Sequence, residues 1–300
     1  MKADIALLTD RRFTADTANP DDWYFGNILT EDRLLRAALD GLGLSSIRVD
    51  WSSTNEDWSQ YGCAVFRTTW DYFDRFGEFT TWLDRVEQQT LLCNPASIIR
   101  WNMDKHYLAD LDARGIPVVQ SRFVERGSAL RLHDLLDETG WAEAVIKPCV
   151  SGAARHTYRV NRANADQIDS IVQPLLASES FLFQPFEASI MDSGEDSLMV
   201  FGGRYSHAVR KRATPGDFRV QDDHGGTVAP YQPSAAQIEL AERAIAACDP
   251  VPAYGRVDMI RESTGNYAIM ELELIEPELW LRFHPPAAEA LARAIARRGA

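Results

Sequence analysis

The first third of the chain alternates short apolar runs with an amphipathic helix, and this alternation constrains the fold more than any other feature of the sequence. A helix over 76–89 is predicted by apolar residues at the helical spacing, which are Phe79, Trp82, Leu83 and Val86. Apolar runs that suit buried strands lie on both sides of it, at Ile5–Leu8, Ser46–Asp50, Cys63–Arg67 and Leu91–Asn94. We therefore expect an α/β domain with a doubly wound parallel sheet over residues 1–93.

The rest of the chain predicts two α+β units. Residues 94–182 combine short strands with short helices, and we expect them to form a central lid domain. Residues 183–300 are rich in strands, and Ser234 with Gln237 forms a capping box that predicts the start of a helix. The last two strands are predicted at Tyr254–Arg261 and Tyr267–Ile275.

The last predicted hairpin brings acidic side chains together. Glu271 and Glu273 alternate with apolar residues, so the two glutamates should share one face of the strand while Met270 lies on the other. A turn centred in the loop between the two strands pairs Asp258 directly with Glu271. The three carboxylates should therefore project together.

Clustered carboxylate oxygens suit Mg²⁺, which proteins usually bind through one or two carboxylates and the phosphates of a substrate. The alternative is a solvated acidic face on an acidic chain. Like charges that face each other across a ladder are destabilising unless something neutralises them. This cost favours a Mg²⁺ site formed by Asp258, Glu271 and Glu273.

Charge and cysteine content exclude several classes of protein. The chain has 31 Lys and Arg against 44 Asp and Glu, and its net charge of −13 disfavours nucleic acid or an anionic membrane as a partner. No apolar stretch is long enough for a membrane span, and the N-terminus lacks the pattern of a signal peptide. The four cysteines form no CxxC motif. We therefore expect a cytoplasmic protein.

Only four basic residues are lysines, and three of them lie in contexts that suit phosphate chemistry. Lys147 ends an apolar strand and precedes a loop of small residues over 151–155, where backbone N–H groups and one point charge could bind phosphate. Lys105 follows Asp104 at a predicted helix start, and Lys211 lies in a basic strand. The alternative for Lys147 is an ordinary exposed lysine at a strand end.

The order of these segments resembles the ATP-grasp superfamily of carboxylate–amine ligases. The resemblance extends from Asn94 to Pro277 and implies an ATP-grasp fold, with ATP and Mg²⁺ as cofactors. It rests on an ordered set of loose motifs, which are Asn94-Pro95, Asp104-Lys105, Val145–Pro148, Phe183–Phe186, Asp217–Arg219, His224–Gly226, Val257-Asp258 and Met270–Glu273.

The resemblance also implies which residues bind the nucleotide. Lys105 and Lys147 correspond to the two lysines that hold the phosphates, next to the loop that begins at Ser151. The ribose carboxylate corresponds to Glu195, which its place before the strand favours, or to Glu187. The adenine-binding segment corresponds to Gln184, Pro185 and Phe186.

Further positions correspond to the family's metal and phosphoryl-transfer residues. The three acids of the last hairpin correspond to the Mg²⁺ ligands, although Glu273 replaces the Asn that is usual there. Arg219 corresponds to the arginine that stabilises the transferring phosphoryl group, and Lys211 lies in the strand before it. Such ligases convert a carboxylate into an acyl-phosphate, which a nitrogen then attacks.

The substrate site is less specified. Arg67 ends the predicted third strand and Asp71 follows it, at the sheet edge where ligands of α/β proteins bind, so they could hold the carboxylate and the amino group of a substrate. The alternative is a structural Arg–Asp pair. His224, beside two glycines, is a further candidate. We expect a small, amino-acid-like substrate and a monomer or homodimer.

A narrower resemblance is to the ATP-grasp group that includes the cyclo-ligase closing O-ureido-D-serine into D-cycloserine. It rests on Trp70-Asp71-Tyr72 and on the ending Glu271–Pro277. Three alternatives remain open from the residues: a ligase that joins two amino acids or peptides, a degenerate module that binds nucleotide without turnover, and a hydrolase that uses Glu271 and Glu273 as a carboxylate pair.

Overall fold

The computed structural model describes residues 2–214, 216–220 and 225–299. Its first unit is a parallel sheet with helices on both faces, which confirms the predicted fold class. Helix α1 (Trp23–Asp40) packs on one face and α2 (Phe76–Val86) on the other. The strand order is β2-β1-β3-β4, with β1 (Ala3–Thr9), β2 (Ser46–Asp50), β3 (Tyr61–Thr68) and β4 (Leu91–Cys93).

The second unit is an antiparallel sheet of four strands with two helices packed on its core. Its helices are α5 (Leu132–Thr139) and α6 (Ala165–Leu176). The strand order is β5-β8-β6-β7, with β5 (Arg122–Val124), β6 (Glu143–Pro148), β7 (Tyr158–Asn161) and β8 (Phe181–Pro185). The predicted boundary between residues 182 and 183 falls within β8.

Two helices stand at the start of the predicted central domain. Helices α3 (Ala96–Asn102) and α4 (Tyr107–Ala113) share a core with the third sheet, and Leu182 of β8 also belongs to that core. Asn102 donates a hydrogen bond to the carbonyl oxygen of Leu272 at 2.7 Å and accepts one from the N–H of Leu274 at 2.7 Å. These bonds join α3 directly to the strand that contains Leu272.

The third unit is an antiparallel sheet of five strands in the order β11-β10-β9-β12-β13. The strands are β9 (Glu195–Phe201), β10 (Arg204–Arg212), β11 (Thr227–Tyr231), β12 (Tyr254–Arg261) and β13 (Tyr267–Glu273). The helices are α7 (Ser189–Asp192), α8 (Ala235–Ala246), which begins with the predicted capping box, and α9 (Ala287–Gly299). Among the described helices, none has the length and apolarity that a membrane span requires.

The β12–β13 hairpin contains a β-bulge that the sequence pattern does not reveal. Asp258 pairs with Glu271 as predicted, but Met259 pairs with Ile269, so Met270 is the extra residue between them. The bulge shifts the side-chain alternation by one residue. Met270 therefore lines the same cleft as Glu271 and Glu273, and the prediction that it lies on the opposite face is wrong.

A buried histidine joins β10 to the segment after β13. Nε2 of His207 lies 2.8 Å from the carbonyl oxygen of Leu279, and burial lowers the pKa of His207 to about 4. The pKa of an unfolded histidine is about 6.5, so the unfolded chain binds the proton first as the pH falls. Stability should therefore be lost as the pH falls from about 6.5 towards about 4, by roughly 3 kcal/mol.

Replacing this histidine should remove that pH dependence. We expect the unfolding free energy of His207→Gln to lose this dependence on pH. Urea denaturation at several pH values measures the unfolding free energy. His133→Gln, on a helix face that is partly exposed, is the matched control and should keep the slope. An unchanged slope in His207→Gln would contradict this assignment.

Candidate active site

Side chains from all three units line one cleft of about 770 Å³. Two predicted site residues, Arg67 and Asp71, do not line it, and His224 lies outside the described residues. The predicted residues that do line it are Lys105, Lys147, Ser151, Gln184, Pro185, Phe186, Glu187, Glu195, Lys211, Arg219, Asp258, Glu271 and Glu273. The cleft therefore collects residues that are far apart in the sequence.

Two lysines from different units converge on one carboxylate. Nζ of Lys105 lies 3.0 Å from Oε1 of Glu271, and Nζ of Lys147 lies 3.9 Å from Oε2. Lys105 also donates to the carbonyl oxygen of Ser151 at 2.7 Å, which ties the small-residue loop to the base of the cleft. Burial lowers the pKa of Lys147, and Lys105 lowers it further, while Glu271 acts in the opposite direction.

A second network surrounds Asp258, which is buried. Arg256 donates to both carboxylate oxygens at 2.9 and 2.8 Å, and Lys211 donates to Oδ2 at 2.9 Å. Burial alone would raise the pKa of Asp258, but these two cations hold it far below its usual range. Arg256 also contacts Glu273, and Lys211 also contacts Glu195, so the network extends along the cleft.

Sequence reasoning missed Arg256. Its signal was present, because Arg256 and Asp258 are alternate residues of β12 and so share a face. The guanidinium carbon lies 5.0 Å from the centre of the Trp280 ring, which packs beneath it. Arg256 is therefore a buried cation at the centre of the acidic cluster.

The acidic cluster has the donor chemistry of a Mg²⁺ site, because oxygen ligands from carboxylates are what this ion prefers. Burial raises the pKa of Glu273 to about 7, and the carboxylates of Asp258 and Glu271 raise it further, against the opposing effect of Arg256. The surrounding cations therefore do not fully offset the negative charge of the Glu273 carboxylate. Asp258, Glu271 and Glu273 fit a divalent cation on this observation.

The other end of the cleft is formed where β8 leaves the second sheet. Gln184 is buried and donates to the hydroxyl oxygen of Ser121 at 3.1 Å. The ring of Phe186 packs edge-on against Phe218, with centroids 6.0 Å apart. Glu187 accepts a hydrogen bond from a backbone N–H in the turn of the last hairpin. This end combines a flat apolar surface with backbone groups and acidic residues.

Arg219 lies in the loop between β10 and β11 and lines the cleft. Its Nη2 donates to Oδ2 of Asp217 at 2.7 Å, and its Nε lies 3.1 Å from Oδ1. Asp217 thus orients the guanidinium group of Arg219, and Lys211 lines the same cleft.

The structure does not place Arg67 and Asp71 on the cleft. Strand β3 continues to Thr68, so Arg67 is buried within the sheet, 4.0 Å from Asp32, and does not reach the open edge. Asp71 accepts hydrogen bonds from Trp51 and Arg75, each at 2.7 Å. The structural alternative is therefore favoured, although each residue has its own partner and they do not pair with each other.

The first unit contributes an aromatic wall that sequence reasoning did not foresee. The rings of Phe13, Tyr24 and Trp70 cluster with centroids 5.8 to 6.2 Å apart, and all three line the cleft. Next to them, Arg12 is held by the buried carboxylate of Asp10 at 2.6 Å. We call Phe13, Tyr24 and Trp70 the ring cluster.

Comparison with known proteins gives the family. Residues 5–94 match the family model described as D-cycloserine synthetase DcsG, N-terminal domain. Over 271 residues the chain is 33% identical to the cycloserine biosynthesis protein DcsG of Streptomyces lavendulae, a match that covers 86% of this chain and 90% of that protein. The chain belongs to the D-cycloserine synthetase family. Membership confirms the resemblance to ATP-grasp ligases and makes the chain an enzyme of the ligase type.

Solved structures agree with this family. The crystal structure of D-cycloserine synthetase DcsG superposes with a TM-score of 0.87 at 31% identity and covers 99% of both chains. The ATP-grasp ligase PsnB, solved with a minimal precursor, Mg and ADP, superposes with a TM-score of 0.59 at 17% identity and covers 99% of this chain and 98% of its own. PsnB and this D-cycloserine synthetase family member thus share the ATP-grasp fold.

Proposed function

We propose that the enzyme closes O-ureido-D-serine to D-cycloserine in a reaction that consumes ATP and needs Mg²⁺. The observation that carries the proposal is the convergence of Lys105 and Lys147 on Glu271, at the centre of a cleft lined by all three units. Such an arrangement places phosphate-binding cations beside carboxylates that can bind a metal. Family membership supplies the reaction class.

We assign the nucleotide to the half of the cleft between the second and third sheets. Lys105 and Lys147 would bind the phosphates, with the backbone of the loop at Ser151 beside them. The adenine would lie against the Gln184–Phe186 segment. Glu195 or Glu187 would bind the ribose. The contact of Glu195 with Lys211 indicates that Glu195 lies nearer to the acidic cluster.

Asp258, Glu271 and Glu273 would hold Mg²⁺, which offsets negative charge on the phosphates. In the first step an oxygen of the substrate carboxylate attacks the γ-phosphorus of ATP, and ADP leaves. Lys211, Arg219 and Arg256 offset charge that develops on the transferring phosphoryl group. No side-chain nucleophile is needed.

In the second step the nitrogen bonded to oxygen in the ureido group attacks the acyl carbon, and phosphate leaves. The ring nitrogen loses its carbamoyl group, so one water is consumed and carbon dioxide and ammonia are released. The balance is one ATP and one water consumed for each ring, with one ADP and one phosphate formed. The enzyme's part is to hold the carboxylate, the nucleotide and the curled substrate together.

Turnover of MgATP in the presence of candidate substrates tests the proposal. We expect O-ureido-D-serine to give equimolar ADP, phosphate and a product with the mass of D-cycloserine. Product that incorporates an added amino acid or peptide would instead favour an intermolecular ligase. Binding of MgATP without ADP release from any candidate would favour a nucleotide-binding module, which the presence of both lysines and all three acids in one cleft argues against.

A further inference from the structure

Glu276 differs from the carboxylates of the acidic cluster and from Glu195. Glu195, Asp258, Glu271 and Glu273 each contact a lysine or an arginine. Among the residues that the structure describes, the Glu276 side chain has no ion pair and no hydrogen bond to the side chain of another residue, although it lines the cleft. Glu276 is thus an acidic group of the cleft that the described residues leave without a cation.

The position of Glu276 joins the acidic cluster to the ring cluster. It follows β13 by three residues, so it lies beyond the predicted Mg²⁺ ligands along the chain. Its carbonyl oxygen accepts a hydrogen bond from Nε1 of Trp70 at 2.9 Å, which fixes this segment to the first unit. Glu276 therefore lies where the third unit meets the ring cluster of the first unit.

The surroundings of Glu276 penalise a lone negative charge. Burial raises the pKa of Glu276 well above its usual range, and the carboxylate of Glu273 raises it further, while Lys105 and Arg256 act only partly against this. A bound cation would remove the penalty. A primary ammonium group suits the site, because aromatic faces attract cations and the ring cluster lines the same cleft as Glu276.

We propose that Glu276 binds the α-ammonium group of the amino-acid substrate, while the ring cluster packs against the planar ureido end. This inference rests on the proposed function and names the part of the substrate that the enzyme selects. When Glu276 binds the ammonium group, the substrate carboxylate is directed towards the cations that contact the acidic cluster. Aromatic rings pack well against a flat, polar group such as urea.

The contact between Glu276 and the substrate ammonium group can be tested by changing either the residue or the substrate. The wild-type enzyme and Glu276→Gln are assayed with O-ureido-D-serine and with its des-amino analogue, 3-(ureidooxy)propanoate, by ADP release. We expect the wild type to favour the amino substrate by about 100-fold in kcat/KM, as for a desolvated charge pair, and Glu276→Gln to lose this preference. The KM for ATP and the Mg²⁺ dependence should not change.

Glu278→Gln is the matched control, because Glu278 also lines the cleft but is bonded to Arg282 at 2.6 Å. This variant should keep the preference for the amino substrate. Loss of the preference in both variants, or a changed Mg²⁺ dependence in Glu276→Gln, would overturn the inference.

The wild-type comparison decides the matter even if Glu276→Gln fails to fold. Equal kcat/KM for the two substrates in the wild type would overturn the role of Glu276 and leave the proposed function standing. No ADP release with O-ureido-D-serine, from a protein that MgATP stabilises against heat, would overturn the proposed function and the inference together.

Discussion

Glu271→Gln is expected to lower ATP-dependent turnover by about 1000-fold or more while the secondary structure is retained. The side chain keeps its size but loses the charge that faces Lys105 and Lys147. It also loses the capacity to bind a metal ion as a carboxylate. The rate of ADP release at saturating MgATP measures the effect, and far-ultraviolet circular dichroism reports the fold.

A companion variant separates charge at this site from general damage. Lys147→Ala should lose turnover to a similar extent as Glu271→Gln. Its free energy of unfolding should lie closer to that of the wild type than the value for Glu271→Gln does, because Glu271 still pairs with Lys105. The exposed Glu289→Gln, on α9, should keep full activity. Retention of more than about a tenth of wild-type turnover in Glu271→Gln would contradict its placement at the reacting centre.

Asp258→Asn is expected to cost both stability and turnover. The substitution leaves Arg256 and Lys211 buried without their shared carboxylate. Breaking a buried charge pair costs about 3–5 kcal/mol, and we expect about 3 kcal/mol here, because Glu273 and Glu195 still contact the two cations. Urea denaturation at neutral pH measures the loss.

The same variant should change the response to acid. The two cations hold the pKa of Asp258 far below that of an unfolded aspartate, about 3.9, so the charge pair stabilises the fold above that pH and is lost as the pH falls further. Asp258→Asn should lack this acid-dependent loss. Asp137→Asn, which removes an exposed pair with Arg162, should change stability by less than about 1 kcal/mol. A neutral effect of Asp258→Asn would contradict the buried network.

Much of the cleft could be predicted because local sequence patterns determine where its residues lie on their strands. Lys147 ends a strand, and Asp258 and Glu271 pair across a hairpin whose register follows from its turn to within one residue. Strand pairing is a local property of the sequence, so the acids could be brought together without knowledge of the rest of the chain. The doubly wound first sheet could be predicted from the alternation of apolar runs with an amphipathic helix.

Other features depend on contacts that no local pattern encodes. The bulge at Met270 keeps Asp258 opposite Glu271 although the turn end of the hairpin is paired one residue differently. Arg67 was predicted at the open edge of the sheet, but β3 continues one residue further to Thr68 and the Arg67 side chain is buried beside Asp32. A sequence pattern fixes the type of an element better than its last residue.

The part of the cleft to which we assign the substrate escaped prediction for a different reason. Phe13, Tyr24, Trp70 and Glu276 come from distant segments, and the motifs that contain Trp70 and Glu276 do not show that these residues meet. They meet only because the first unit packs against the segment after β13, where Trp70 donates to the carbonyl oxygen of Glu276. Long-range packing between units forms this part of the cleft, so the structure is needed to find it.

Transfer of oxygen from the substrate carboxylate to phosphate tests activation through an acyl-phosphate most directly. The enzyme would be given MgATP and O-ureido-D-serine labelled with oxygen-18 in both carboxylate oxygens, and the released phosphate would be analysed by mass spectrometry. The mechanism predicts one labelled oxygen in each phosphate and the other in the ring carbonyl. Unlabelled phosphate, released together with the cyclic product, would contradict carboxylate activation in this cleft.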